Sequence, residues 1–176
     1  PMGFNLLRMI NEVAGGMRNG KKLKAVIPGG SSCPVLKADE CDINMDFDSL
    51  AAAKSMLGSG GVVVMDEDTC IVKAALRIMR FYAHESCAQC TQCREGTAWS
   101  LRIMERIRDG DGTTEDFDTL LSIADNMTGK TICVLSDSCA TPIVSGLKKF
   151  RGEFEAKIVA NRSMVAVPGA FRASAA

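Results

Sequence analysis

The sequence has no surplus of either charge: 21 Lys and Arg stand against 21 Asp and Glu in 176 residues. Without a basic excess or a basic amphipathic stretch, nothing argues for nucleic acid or a membrane surface as a partner. Long hydrophobic runs are also missing. Stretches such as Val62 to Met65 fall far below the ~20 residues of a spanning helix, so no direct membrane insertion is expected. The start of the chain carries no charged segment followed by an apolar one, and no signal peptide is expected. There is no GxGxxG after a strand, no Walker A motif, and no nucleophile–base pair. Histidine occurs once, as His84. No internal repeat is present.

Cysteine is the exception to this plainness, with eight in the chain. Three fall within seven residues, Cys87-Ala-Gln-Cys90-Thr-Gln-Cys93, and no other CxxC occurs. A secreted disulfide scaffold spreads its cysteines through a small, loop-rich chain. Clustering inside a helix-rich sequence of ordinary composition, 47% hydrophobic and 24% charged, points instead to thiolate-bound metal in a reducing compartment. The chain begins at Pro1, close to a helix, which suggests a segment of a longer polypeptide.

Periodicity divides the chain. Asn5 to Ala14 places Leu6, Leu7, Ile10 and Val13 on one helical face before Gly15-Gly16. Lys22 to Ile27 reads as a strand ended by Pro28-Gly29-Gly30, and Ser31 to Met45 as loop with one short strand. Phe47 to Leu57 reads as a helix and Val62 to Met65 as a strand. Residues 1–68 are thus expected to form a small mixed α/β region. The remainder, 69–160, reads as all-helical, with helices over Ile71 to His84, Arg94 to Arg108, Thr113 through Ala124, and Thr141-Pro142 to about Val159. Residues 161–176 read as a flexible tail. The helix from Arg94 and the next are joined by the Asp109-Gly110-Asp111-Gly112 turn and should run antiparallel. The chain then climbs away from the cysteine loop and returns to the same end. The loop Lys130 to Cys139 is thereby expected beside Cys87, Cys90 and Cys93.

Two successive CxxC steps put three thiolates in one tight loop, which suits three corners of a cubane, and a remote cysteine completes the set that [4Fe-4S] clusters use. Zinc sites more often pair two CxxC knuckles or combine Cys with His. The pattern therefore favours a [4Fe-4S] cluster held by Cys87, Cys90, Cys93 and either Cys133 or Cys139, between which spacing alone does not choose. Cys33, Cys41 and Cys70 are isolated and read as small apolar residues. Arg94 follows the motif either as a cation toward the cluster or as a surface charge. The amides opening the Arg94 helix, with its dipole behind them, would favour a negative cluster. His84 reads as a packing or capping residue.

The run Phe81-Tyr82-Ala83-His84-Glu85-Ser86-Cys87-Ala88-Gln89-Cys90-Thr91-Gln92-Cys93-Arg94-Glu95-Gly96-Thr97 resembles the 51-kDa (F-type) flavoprotein subunit of NADH–quinone oxidoreductase, respiratory complex I. That family's motif is close to ESCGQCTPCREG; Ala88 stands here for Gly and Gln92 for Pro. Gly129-Lys130-Thr131-Ile132-Cys133-Val134-Leu135 is similar to the family's segment with the fourth ligand, and this resemblance selects Cys133. Ala14-Gly15-Gly16-Met17, the run Lys22 to Ser32 and Met45 to Leu50 are similar to its β-grasp-like soluble-ligand-binding domain.

The resemblance implies an α+β chain. A partial β-grasp-like domain (1–68) would precede an all-α four-helix bundle holding a [4Fe-4S] cluster beside a flavin. It implies that the whole flavoprotein oxidises NADH at FMN and passes electrons to this cluster and on toward quinone. FMN and NADH would bind mainly outside these residues. Implied partners are the 24-kDa (E-type) and 75-kDa (G-type) proteins of the peripheral arm, on the cytoplasmic or matrix side of a membrane. Diaphorase components of NAD-reducing hydrogenases and formate dehydrogenases share the module. A metal-stapled, non-catalytic interaction module is the reading from a different class.

Overall fold

Strand β1 (Leu23–Ile27) is the centre of a three-stranded antiparallel sheet ordered β2-β1-β3, with β2 at Leu36–Lys37 and β3 at Val63–Asp66. The computed structural model describes residues 2–165. Side chains alternate across a strand, and β1 uses both faces. Ala25 and Ile27 join one buried cluster, with Met65 and the long helices. Val26 joins a second, with Leu6, Ile10, Leu36 and Leu50. The sheet thus separates two cores, which explains why Ala25, Val26 and Ile27 are apolar in succession rather than alternating.

The second core is closed by short helices. α1 (Leu6–Arg8) is capped by the Asn5 side chain and runs on as a π-helical turn over Met9–Val13. Gly15 and Gly16, both at positive φ, end it. α2 (Phe47–Ala52) starts at Asp46, whose carboxylate accepts the Ser49 N–H at 2.7 Å. It stops well before the expected Leu57, because Ala53 leaves helical geometry and Lys54 turns to φ 57°.

Four longer helices make up the rest: α3 (Ile71–Glu85), α4 (Thr91–Asp109), α5 (Glu115–Met127) and α6 (Leu135–Val165). α4 and α6 each pack against the other three. On α3 the buried stripe is Ile71, Ala75, Met79 and Tyr82, with Val72 and Leu76. On α4 it is Gly96, Ser100, Met104 and Ile107, and Trp99 is half exposed. Small residues at 96, 97 and 100 let α5 approach: a Cβ on Gly96 would lie 2.5 Å from the Met127 sulfur. Phe117 on α5 meets Phe154 on α6 edge to face, with ring centroids 6.1 Å apart.

Two helix starts differ from the sequence reading by three residues or more. α4 begins at Thr91, so Cys93 lies inside its first turn, and Arg94 N–H already donates to the Cys90 carbonyl at 2.9 Å. α6 begins at Leu135, not at Thr141-Pro142. Thr141 does not cap; its hydroxyl donates back to the Asp137 carbonyl at 2.8 Å, and Pro142 sits within the helix. The helix departs from regular geometry further on, at Phe150 (φ −124°, ψ 28°). The tail expected from residue 161 begins within α6, which continues to Val165; residues 166–176 lie outside the described residues.

Hydrogen bonds and ion pairs join sheet to helices. Lys24 pairs with Glu153 at 2.7 Å and Glu40 with Lys149 at 2.5 Å. Val35 N–H donates to the Ser145 hydroxyl at 3.1 Å, and Ser31 and Tyr82 share a hydroxyl bond of 3.0 Å.

Candidate metal centre

The turn between α3 and α4 carries Cys87, Cys90 and Cys93. Ser86 ends α3, with its N–H on the Tyr82 carbonyl at 3.1 Å. The chain then reverses through Ala88 at φ 63°, a left-handed conformation that favours glycine. Arg94 reaches back from α4 and its guanidinium donates to the Ala88 carbonyl at 2.9 Å while pairing with Glu95. Arg94 therefore braces the cysteine turn. Cys90 is the residue capping α4, and the unpaired amides of that helix end belong to Thr91, Gln92 and Cys93, not to the stretch from Arg94. Cys87 is exposed, Cys90 half-buried and Cys93 buried.

The returning loop, residues 128–134, is pinned from below. Asp137 accepts the Gly129 N–H at 2.9 Å. The buried Ser136 hydroxyl contacts Thr131 Oγ1 at 2.5 Å and the Met127 carbonyl at 3.2 Å, and Thr131 Oγ1 donates to the Cys133 carbonyl at 2.8 Å. This sets Ile132 beside the cysteine turn, where its N–H donates to Cys90 Sγ at 3.4 Å. The two loops thus meet although 42 positions separate these residues in sequence, as the antiparallel arrangement requires.

The early start of α6 separates the two candidates for a fourth ligand. Cys133 stays in the loop and is exposed. Cys139 is on α6, fully buried, 3.8 Å from the Met79 sulfur. Burial, with the neighbouring Cys93 adding to it, pushes its thiol up to about 12, so it stays protonated. Cys41 is similarly raised, to about 11, by burial and then by Glu40 and Asp39; burial also raises Cys33. Cys70 is half-buried at the start of α3. His84 is exposed near the C-terminal end of α3, beside Arg80 and Phe81.

Among the described residues no three Cys, His, Asp or Glu side chains converge closely enough to hold a metal ion. The backbone brings the loops together without closing a cage. The donors nonetheless fit a cubane cluster in kind: soft thiols on two loops, with a main-chain N–H aimed at one sulfur. Ser86 is not distinguished by the cysteine spacing. Its hydroxyl lies 3.4 Å from Cys93 Sγ and accepts the Ala88 N–H at 3.4 Å. Its place just ahead of the first CxxC is a signal the sequence holds for it.

Paired cysteine loops on packed helices fit an iron–sulfur-binding class of protein. Residues 73–157 match the family described as the NADH-ubiquinone oxidoreductase-F iron-sulfur binding region. The chain is 49% identical over 162 residues to the second F-type NADH-quinone oxidoreductase protein of Rhizobium meliloti (strain 1021), covering 92% of this chain and 38% of that protein. It is 49% identical over 158 residues to the F-type NADH-quinone oxidoreductase protein of Rickettsia rickettsii (strain Sheila Smith), covering 89% and 38%. The chain thus spans about 38% of the length of these curated relatives. Its fold is similar to a chain in the crystal structure of NAD+-reducing [NiFe]-hydrogenase in the H2-reduced state, with TM-score 0.77 and 25% identity, over 95% of this chain and 30% of that one. No helix among the described residues is long and apolar enough to cross a membrane.

Proposed function

We propose that Cys87, Cys90, Cys93 and Cys133 hold one [4Fe-4S] cluster in the electron path of an NADH dehydrogenase. The observation that carries this reading is the meeting of two loops: the Cys133 loop donates a main-chain hydrogen bond to the sulfur of Cys90. Exposure of Cys133 and burial of Cys139 support the same choice of fourth ligand. When bound, such a cluster supplies a one-electron centre. The chain's own residues hold and orient it: α4 presents unpaired amides at the cysteine turn, Arg94 fixes that turn through Ala88, and Ser136 and Asp137 hold the opposite loop.

On this reading, residues 1–68 form a partial β-grasp-like soluble-ligand-binding domain and 69–160 a four-helix bundle that carries the cluster. The longer flavoprotein oxidises NADH at FMN bound mainly outside these residues. Electrons then move toward quinone through neighbours of the 24-kDa and 75-kDa types, in a peripheral arm on the cytoplasmic or matrix side. The likeness to the NAD+-reducing hydrogenase favours a second reading, a diaphorase component serving a different acceptor. Co-purification from the native source separates the two: quinone-reductase components support the first, hydrogenase components the second.

Anaerobic reconstitution with iron and sulfide tests the centre itself. The expected product is brown, with about four irons per chain and a paramagnetic signal on one-electron reduction. A colourless chain holding one zinc contradicts the proposal.

A further inference from the structure

We infer that Ser86 is a positioning residue that sets the reduction potential of the proposed centre by donating its hydroxyl proton to Cys93 Sγ. The inference rests on the cluster reading above. Ser86 Oγ lies 3.4 Å from Cys93 Sγ, in a contact where geometry alone allows either atom to donate. Ligation decides the direction. A thiolate bound to iron has no proton, so only the serine can donate.

The other contact of Ser86 agrees. Its oxygen accepts the Ala88 N–H at 3.4 Å, which uses a lone pair and leaves the hydroxyl proton for the sulfur. Ser86 is held by its own N–H on the Tyr82 carbonyl, and Tyr82 is buried, so the hydroxyl is presented from a fixed helix end. Cys93 is the most buried of the three clustered thiols, so a hydrogen bond there is poorly replaced by water. Cys90 has a main-chain donor, the Ile132 N–H. Ser86 is the matching side-chain donor, on the other loop and to another sulfur.

A hydrogen bond to a ligating sulfur withdraws negative charge and favours the reduced state, which carries one more electron. The external reductant supplies that electron; no bond to the serine is made or broken.

The test is a dithionite redox titration of the anaerobically reconstituted 176-residue chain, followed by electron paramagnetic resonance. Ser86→Ala should keep its iron and become about tenfold harder to reduce, which for one electron is about 59 mV lower. Ser86→Thr, which retains the hydroxyl, should stay within about threefold of the parent. An unshifted Ser86→Ala potential, with iron retained, overturns the inference while leaving the cluster reading intact. Should Ser86→Ala lose its iron, Ser86→Thr decides alone: a near-parent potential supports the inference, and a tenfold shift or loss of iron overturns it. A parent chain that takes up zinc and no cluster overturns both readings.

Discussion

Ala88 sits at φ 63° in the turn between Cys87 and Cys90. An L-residue with a Cβ costs roughly 1–2 kcal/mol in that conformation, and glycine does not. The Ala88 carbonyl is fixed by Arg94 and its N–H by Ser86, so the turn cannot relax by rotating away. Ala88→Gly is therefore expected to stabilise the chain by about 1 kcal/mol, a rise in melting temperature of roughly 2–4 °C for this size. Differential scanning fluorimetry of parent and variant checks this; a fall in melting temperature contradicts it. The proposal of the three clustered cysteines as ligands comes from spacing alone, because two CxxC steps have few other uses. The choice of Cys133 is not. It comes from resemblance, and burial of Cys139 on α6 gives it an independent physical support.

At the scale of elements, most helices and strands follow from period and punctuation. At the start of α6 a local signal is overruled by tertiary contacts. Thr141-Pro142 has the composition of a helix start, yet Asp137 and Ser136 already anchor the chain to the α5 end, and α6 runs through the proline. The cysteine turn ends three residues sooner than its spacing suggests, since Thr91 to Cys93 already belong to α4. The glycine pairs behave as expected of turns, but Gly29 has a further role. A Cβ there would lie 2.2 Å from the Leu57 carbonyl oxygen, a main-chain atom that cannot swing aside. That contact seats the segment after α2 against the end of β1, with Ser59 N–H on the Gly29 carbonyl at 2.9 Å. Gly29→Ala should cost on the order of 2 kcal/mol, read as a lower urea midpoint with an unchanged slope. An unchanged midpoint contradicts the close approach.

For the whole molecule, the sheet region and the long helices are joined by charged contacts whose strength depends on pH. Burial works to raise the Glu40 carboxyl, but the Lys149 ammonium and the Lys37 N–H outweigh it and hold the group below its ordinary value of 4.5. A carboxyl depressed on folding stabilises the fold above its ordinary value, and that contribution is lost as pH falls through the folded value. The parent should therefore exceed Lys149→Met in stability at pH 7, with the gap narrowing as pH falls from about 5 toward 3. Urea unfolding across that range checks it; a gap that widens on acidification contradicts the sign. This joint is not legible in the sequence, where Glu40 and Lys149 lie 109 residues apart and neither belongs to a motif.

The account depends most on which thiols meet across the two loops. Iron and sulfide analysis of the reconstituted chain, with Cys133→Ser and Cys139→Ser measured beside the parent, addresses that directly. The predicted result is about four irons in the parent and in Cys139→Ser, with loss of the intact [4Fe-4S] cluster in Cys133→Ser. Retention of the cluster by Cys133→Ser together with its loss from Cys139→Ser would contradict the assignment.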